Sequence, residues 1–462
     1  MVDASDDLDT YGRVLAHALF PAFEAARGRP TVRLVRELEQ SQWSSVDELR
    51  ARQLRDLQRL ITHAQQTTIH YRGVLNQCRL VPEDIRTLTS LEALPLLDRE
   101  TTVATLEART AKAEPRWVIQ KSTSGTTGQP VVVRYNAESR HWRDATRLRG
   151  YGWAGYRVGK RVFHYWGIPP TKESWLARRK VSLDHTLKRD RYVDCTPRSD
   201  AALHAAVTEL RRFRPQVIVA YASGIAALAR FVVDRGLRDW PNIPVLSGAE
   251  RLWPHDRTVI EQAFGPGFET YGCREVMLIG SECDAHAGLH VAMETLIVEL
   301  IVRDADGNAR AARPGEVGEV AITDLHNLAC PMIRYLTGDL AIAITPEPCA
   351  CGRGLERIGP IDGRVADTLR DGQGNPVGGL VFNILFGVLG HVAHKFQVVQ
   401  RVDGSIVMRV VPVAGRLPPG AMNAIHEFAG KYLAGVPFAV EYVSDIPLTA
   451  AGKRRVVVVE RD

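Results

Sequence analysis

Two stretches of this 462-residue chain gather side chains dense enough to do chemistry. The first is Lys121-Ser122-Thr123-Ser124-Gly125-Thr126-Thr127-Gly128-Gln129-Pro130, which packs hydroxyls around two glycines. Glycine lets a backbone curl round an anion, and the N–H groups and hydroxyls so exposed donate to phosphate oxygens. The stretch is not a Walker loop: it lacks the Gly-Lys-Ser/Thr ending and runs into Val131-Val132-Val133-Arg134-Tyr135, a strand-like sequence rather than a helix start. On its own it reads equally well as an anion cradle and as a polar hairpin tip. The second stretch is Cys283-Asp284-Ala285-His286-Ala287-Gly288-Leu289-His290, followed far downstream by Cys349-Ala350-Cys351-Gly352. A Cys-x-Cys pair with one further Cys and one His makes a Cys₃His zinc site, and four protein ligands leave no open position, so such a site is structural. His286 and His290 compete for the fourth place, and unligated thiols beside ordinary histidines are the alternative. Cys78, Cys195, Cys273 and Cys330 have no partner pattern and read as buried apolar thiols.

The rest of the composition sets bounds. Hydrophobic residues are 45% and charged residues 24%, which excludes collagen-like, disordered and disulfide-scaffold classes. Lys and Arg number 59 against 53 Asp and Glu, a net +6 spread along the chain without a block of like sign. That is weak support for nucleic-acid binding and suits anionic small molecules. The first twenty residues are acidic, with Asp3, Asp6, Asp7 and Asp9, and lack the basic start and apolar core of a secretory signal. The longest apolar run, residues 377–389, is broken by Gly378, Gly379 and Asn383 and falls short of the ~20 residues that span a bilayer. A soluble, cytoplasmic protein is expected, with neither nucleic acid nor membrane as partner.

These candidate sites need elements to hold them. Residues 32–46 and 49–61 carry apolar side chains at spacings of three and four and read as helices. Pro95 and Asp98 break that pattern, and from 117 to 135 short β runs flank the glycine loop. Residues 201–213 and 223–235 read as amphipathic helices beside buried strands at 217–221 and 243–247, the alternation of a parallel sheet with helices on its faces. Strands are expected at 294–302, 317–323 and 338–345. After Gly363-Arg364 the pattern changes to β runs at 395–401 and 405–413, a helix near 421–433 and a strand at 438–443, with Asp371-Gly372-Gln373-Gly374-Asn375-Pro376 as a β turn.

The glycine loop has companions in a fixed order. Tyr271-Gly272-Cys273-Arg274-Glu275, Arg334-Tyr335-Leu336-Thr337-Gly338-Asp339, Gly363-Arg364 and Pro447-Leu448-Thr449-Ala450-Ala451-Gly452-Lys453 follow it. Together the five resemble the phosphate loop, the Tyr-Gly-x-x-Glu and Tyr-x-Thr-Gly-Asp segments, the junction Gly-Arg and the C-terminal Gly-Lys motif of the adenylate-forming superfamily of acyl-CoA synthetases, adenylation domains and luciferases. Spacing and length are nearest to its phenylacetate–CoA ligase-like branch, over roughly the last three quarters of the chain. The resemblance implies an α/β fold: a large N-terminal α/β domain of adenylate-forming type and a small, mobile α+β C-terminal domain. The expected divisions are a helical portion at 1–110, an ATP- and acid-binding core at 111–364, and a small domain carrying the lysine at 365–462.

The implied chemistry has two halves. A carboxylate, an aromatic acid first among the guesses, attacks the α-phosphate of ATP to give an acyl-adenylate and pyrophosphate. A nucleophile, usually coenzyme A, then displaces AMP. The loop Ser122, Thr123, Ser124, Gly125, Thr126, Thr127, Gly128 would cradle the β- and γ-phosphates. Glu275 would help hold Mg²⁺, Tyr271 and Gly272 would lie near the adenine, Asp339 would accept from the ribose hydroxyls, and Arg364 would reach ribose or phosphate. Lys453, one of only nine lysines, would stabilise the charge that develops in transfer. Backbone at Gly248, Ala249 and Glu250 would line the adenine, and that at Tyr221, Ser223 and Gly224 the acid. His164, Tyr165 and Trp166 sit where the family has an aromatic segment beside the acid, His164 ordering its carboxylate. The branch also carries the Cys…Gly-Leu-His…Cys-x-Cys wording, which favours His290 over His286 with Cys283, Cys349 and Cys351 as zinc ligands. Dimers are common in it, so a homodimer is the implied assembly.

Two departures matter. The family's Arg after the Tyr of Tyr-x-Thr-Gly-Asp is Leu336 here, and Arg334 is the nearest replacement. The hinge two residues past the Gly-Arg is Ala366, with Asp367 next. The altered hinge bears on the second half-reaction, so an amine or a carrier-protein thiol is the alternative acceptor to CoA.

Overall fold

The computed structural model describes residues 8–112, 118–122, 131–167, 175–303, 308–374, 376–377, 385, 389, 392–449 and 455–460. Thr123, Ser124, Gly125, Thr126, Thr127, Gly128 and Lys453 lie outside them.

The helices at the N-terminal end form for local reasons and then bury one face. Val46–Thr67 starts on a capping box, in which Ser45 and Glu48 satisfy each other's backbone N–H. Its Leu49, Leu57, Leu60, Ile61 and Ala64 are buried. Leu57, Leu60 and Ile61 share a core with Tyr71 and Leu75 of the next helix and with Ile297, Leu325 and Ile333. Residues with no recognisable motif thus pack beneath the strands that carry the motifs.

The central sheet has eight strands in the order Arg357–Ile358, Leu289–Val291, Met277–Glu282, Gly267–Cys273, Val245–Gly248, Val217–Tyr221, Val162–Trp166, Asp190–Asp194. The last five run parallel and the first three antiparallel. Val217–Tyr221 is buried at all five positions, as a parallel strand covered on both faces must be. Helices Asp200–Phe213 and Ala222–Asp234 cover one face through Leu203, Val207, Ile225 and Val232. Helix Ala137–Gly152 approaches so closely that a side chain at Gly150 would collide with Leu278 and Ser281.

A second sheet, wholly antiparallel, runs Ala309–Ala311, Leu296–Arg303, Val317–Asp324, Tyr335–Ile342, Ile361–Arg364. Its Val320, Ile322 and Tyr335 share a core with Tyr271, Ile279 and Val291 of the central sheet. The third of the expected strands starts at Tyr335 rather than 338, because a register shift between Glu319 and Ala321 lets Tyr335 and Leu336 pair with Ile322 and Ala321. A hairpin of Ile119–Ser122 with Val132–Tyr135 flanks the glycine loop. Beyond Arg364, strands Phe438–Tyr442, Ile406–Pro412, Ala393–Gln400 and Val457–Val459 form a four-stranded sheet with helix Pro419–Tyr432 packed on it through Ile425 and Phe428. The expected turn is present: Leu369–Arg370 pairs with Pro376–Val377, and Gly374 N–H donates to the Asp371 carbonyl at 3.0 Å. No helix among the described residues is long and apolar enough to cross a membrane.

Candidate active site

Three of the motif segments, those carrying Tyr271 and Glu275, Tyr335 and Asp339, and Arg364, meet where the two sheets adjoin. Tyr271 ends a buried stretch of strand Gly267–Cys273, and its hydroxyl donates to Asp339 Oδ2 at 3.0 Å. Asp339 sits on Tyr335–Ile342 opposite Arg364 in register, and Arg364 Nε lies 3.4 Å from its other oxygen. Gly338 reaches φ +78°, so the turn into Asp339 uses a conformation that L side chains rarely adopt. Thr337 Oγ1 accepts from Asp339 N–H at 3.1 Å and donates to the Val320 carbonyl, which fixes the turn from below. Burial, with the Asp339 carboxylate alongside, pushes the Tyr271 hydroxyl well above its ordinary value, so it stays a donor at any physiological pH.

Glu275 is 6% exposed and accepts from Tyr335 Oη at 3.1 Å. The chain reaches it through a tight reversal: a Cβ at Gly272 would fall 1.8 Å from the Met277 carbonyl, and Met277 itself takes φ +75°. Only glycine fits there, which accounts for its place in the segment. Arg274 donates to the Ser122 carbonyl at 2.7 Å and so ties this turn to the start of the glycine loop.

The acid-side candidates separate into two groups. The Trp166 and Tyr221 rings pack with centroids 4.2 Å apart and planes tilted by 55°. A Cβ on Gly248 would meet Thr270 Oγ1 at 3.0 Å and Trp166 Cη2 at 3.7 Å. Ser223 N–H donates to Glu250 at 2.9 Å, Arg198 donates to Ser223 Oγ at 3.0 Å, and Ala249 between them holds φ +65°. Gly224 lies against Cys195. These residues share the C-terminal end of the parallel strands, where open α/β sheets gather their sites. Tyr165 is not among them: 1% exposed, it packs with Phe163 and Cys195 in the core on the opposite face of its strand. His164 is also held elsewhere. Its ring stacks on Tyr192 at 4.2 Å and its Nε2 lies 3.1 Å from Asp190 at the start of the neighbouring strand. Arg334, the candidate to replace the missing family Arg, is engaged in structure: it pairs with Glu299 at 2.9 Å and donates to the carbonyls of Glu92 and Leu94.

The cysteine and histidine cluster is assembled. One ligand atom each from Cys283, His290, Cys349 and Cys351 lies within 4.8 Å of every other. Cys283 and Cys349 sulfurs are 3.8 Å apart, and Cys351 Sγ is 3.3 Å from His290 Nε2. Thiolates on tetrahedral zinc would be about 3.8 Å apart, and sulfur and nitrogen about 3.6 Å. His290 Nδ1 faces the Leu355 carbonyl at 3.0 Å, which fixes the tautomer and aims Nε2 at the cluster. Burial lowers the imidazole to about 4, so it is neutral and able to ligate at pH 7. Burial also works to raise Cys351, but hydrogen bonds from Arg353 outweigh it and hold the thiol below its ordinary value. His286 turns away, 3.3 Å from Glu282 and 3.2 Å from Arg257. The donors present fit zinc.

Four residues of this region were given no role from sequence: Arg198, Arg274, Tyr335 and Thr337. The last three lie inside quoted motif segments, so their position carried the signal and their contacts did not. Nothing in the wording around Arg198 marks it.

No family model matches the chain. Among curated proteins it is 28% identical over 369 residues to the phenylacetate-coenzyme A ligase of Thermus thermophilus, covering 78% of this chain and 80% of that one. It is 27% identical to the phenylacetate-coenzyme A ligase of Pseudomonas putida over 72% of this chain and 74% of that one. Among solved structures, a 2-hydroxyisobutyryl-CoA ligase in the postadenylation state, bound to R3-HIB-AMP, superposes with TM-score 0.72 over 92% of both chains at 18% identity. An amide bond synthetase, McbA of Marinactinospora thermotolerans, superposes at 0.51 over 74% of this chain and 68% of that one, at 18% identity. The fold is that of the adenylate-forming CoA ligases, and the sequence is akin to their phenylacetate–CoA ligase branch.

Proposed function

We propose that this chain is an AMP-forming acid–CoA ligase: it activates an aromatic carboxylic acid with ATP and passes the acyl group to coenzyme A. The observation that carries the reading is the convergence of Tyr271, Asp339 and Arg364 beside the Tyr335–Glu275 pair, with Arg274 linking them to the start of the hydroxyl-rich loop. The two phenylacetate-coenzyme A ligases support the choice of acid and acceptor.

In the first half-reaction a carboxylate oxygen attacks the α-phosphorus and pyrophosphate leaves. Two anions must meet, so the chain's task is to neutralise charge and align the reactants. Asp339, already oriented by Tyr271 and Arg364, is suited to receive the two ribose hydroxyls. Glu275 is the carboxylate that would hold Mg²⁺, whose preference is for carboxylate and phosphate oxygens and which neutralises triphosphate charge when bound. Trp166, half-buried and backed by the Tyr221 ring, is suited to offer an apolar surface to an aromatic acid. Lys453 is assigned the charge on the attacked phosphate: a unit pair at about 4 Å is worth roughly 4 kcal/mol at an effective dielectric near 20, about a thousandfold in rate if realised only in the transition state. In the second half-reaction the CoA thiol attacks the acyl carbonyl and AMP leaves. The cysteine cluster is given a structural zinc.

Acid-dependent exchange of labelled pyrophosphate into ATP tests the reading. Exchange with an aromatic acid, abolished by Lys453→Ala, is expected, as is CoA-dependent AMP release. No exchange with any acid in a broad panel overturns it. AMP release with amines but not CoA replaces the acceptor.

A further inference from the structure

Beside the hairpin lies a cavity of about 310 Å³ that none of these roles uses. It is lined by Ile119, Lys121, Tyr135, Arg140, Arg143, Asp144 and Met277. That volume matches roughly ten waters, room for a diphosphate. Its lining is cationic: Lys121, Arg140 and Arg143 share it with one carboxylate, Asp144, which lies 3.7 Å from Arg140.

Arg143 is the informative residue. Its side chain is 7% exposed and lies with its guanidinium over the Tyr135 ring at 4.2 Å. Nη2 donates to Asp324 at 2.8 Å and Nε to Ser139 at 3.1 Å. Nη1 is buried and has no hydrogen-bond partner among the described residues. A buried donor without a partner is costly, and on a charged group more so. Asp324 behind the wall and Asp144 upon it answer two of the three cations, and the third charge, that of Lys121, remains for a ligand. Two guanidiniums and an ammonium converging on one space suit an oxygen-rich polyanion, for which arginine supplies forked donors and lysine a point charge.

Position narrows the ligand. Lys121 directly precedes Ser122 of the hydroxyl-rich loop, and Met277 closes the reversal that follows Glu275. We propose that this cavity, beside the strand that leads into the hydroxyl-rich loop, is a second anion site that takes a diphosphate group. The inference rests on the adenylation reading for the source of that group, which is either the pyrophosphate released in the first half-reaction or the diphosphate of coenzyme A.

The test uses the full-length enzyme saturated with a non-hydrolysable ATP analogue, so that the loop is filled. Inorganic pyrophosphate and coenzyme A are titrated separately by calorimetry into the wild type, Lys121→Met/Arg140→Gln and Arg143→Lys. Arg143→Lys can keep a charge beside Asp324 while deleting the forked guanidinium from the wall, and melting temperatures report whether each variant folds. At least tenfold weaker pyrophosphate binding in folded variants identifies the released product, and the same loss for coenzyme A identifies the acceptor. Equal affinities of all three proteins for both ligands overturn the site. If no acid supports exchange yet the titrations still lose a binding event in the variants, the adenylation reading falls and the anion site stands.

Discussion

Asp367 and Arg455 form an ion pair that ties the chain two residues past Lys453 to the junction three residues past Arg364. The Arg455 carbonyl also accepts from Gln397 at 2.9 Å, and Val457–Val459 then runs parallel to Ala393–Gln400. One end of the lysine-bearing segment is therefore fixed both to its own sheet and to the junction. The hinge residue expected at Ala366 is apolar, and the adjacent acid makes the contact instead. Asp367→Asn should slow pyrophosphate exchange by up to about fivefold, the scale of a partly exposed ion pair. Asp367→Glu should restore part of the rate, and the deficit should narrow at high salt. Exchange rates equal to wild type at every salt concentration would remove this positioning role.

Tyr271 orients Asp339 through a hydroxyl buried beside a carboxylate. A hydrogen bond to a charged group is worth about 1.5–3 kcal/mol, or roughly 10- to 150-fold. Tyr271→Phe should raise the dissociation constant for ATP within that range. ATP without its ribose hydroxyls is the control: 2′,3′-dideoxy-ATP should bind the variant and the wild type nearly alike. An equal penalty for both nucleotides would mean that the hydroxyl acts on something other than ribose recognition.

The metal cluster should be measurable without activity. Elemental analysis should find one zinc per chain. Cys349→Ser or His290→Ala should lose it and lower the melting temperature, since both strand Leu289–Val291 and residues 349–351 are held there. Cys273→Ser, a thiol outside the cluster, should leave zinc content unchanged. Full zinc retention in Cys349→Ser would exclude it as a ligand.

Glu269 gives a pH dependence with a definite sign. Burial raises its carboxyl from 4.5 to about 7, although Leu252 N–H donates to it at 3.0 Å. The folded state then binds more protons than the unfolded one between those values, so its contribution is fully present below about pH 4.5 and is lost as pH rises through about 7. At about 1.4 kcal/mol per pKa unit, the loss is on the order of 3 kcal/mol. Glu269→Gln should remove this slope, and the difference in unfolding free energy between variant and wild type should grow with pH across that window. Parallel curves would show that the buried carboxyl does not titrate there.

The readable parts of the fold were those with a period. Helix Ala222–Asp234 and strand Val217–Tyr221 carry continuous apolar patterns, and both were legible to within a residue or two. Strand Gly267–Cys273 was legible only as a motif, because Glu269, Thr270 and Tyr271 are polar groups buried by neighbours distant in sequence. The family's Gly-Leu-His wording already favoured His290 over His286; the physical reason, the Leu355 carbonyl that aims His290 and the Arg257 that engages His286, comes from residues distant in sequence. Tyr165 and Trp166 are adjacent in one aromatic segment, yet strand alternation sends the first into the core and the second toward Tyr221. His164 shares its face with Trp166 but meets Asp190 and Tyr192, contacts that no local wording carries.

Arg149 and Glu294 make the most buried ion pair among the described residues, with side chains 2% and 0% exposed. Both guanidinium nitrogens Nη1 and Nη2 reach the carboxylate, at 3.1 and 3.2 Å, and Ser41 donates to it at 2.6 Å. Three elements meet there: helix Thr31–Ser41, helix Ala137–Gly152 and the turn before strand Leu296–Arg303. Replacing one partner leaves an unanswered charge in the interior, which costs about 3–5 kcal/mol, whereas an exposed pair costs under about 1 kcal/mol. Glu294→Gln should therefore unfold at markedly lower denaturant than wild type, and Glu107→Gln, which breaks the surface pair with Arg134, should not. Replacing both Arg149 and Glu294 by apolar residues of similar volume should recover much of the loss, because it removes both buried charges together. If Glu294→Gln and Glu107→Gln shift the midpoint equally, the pair does not hold the N-terminal helices to the sheet.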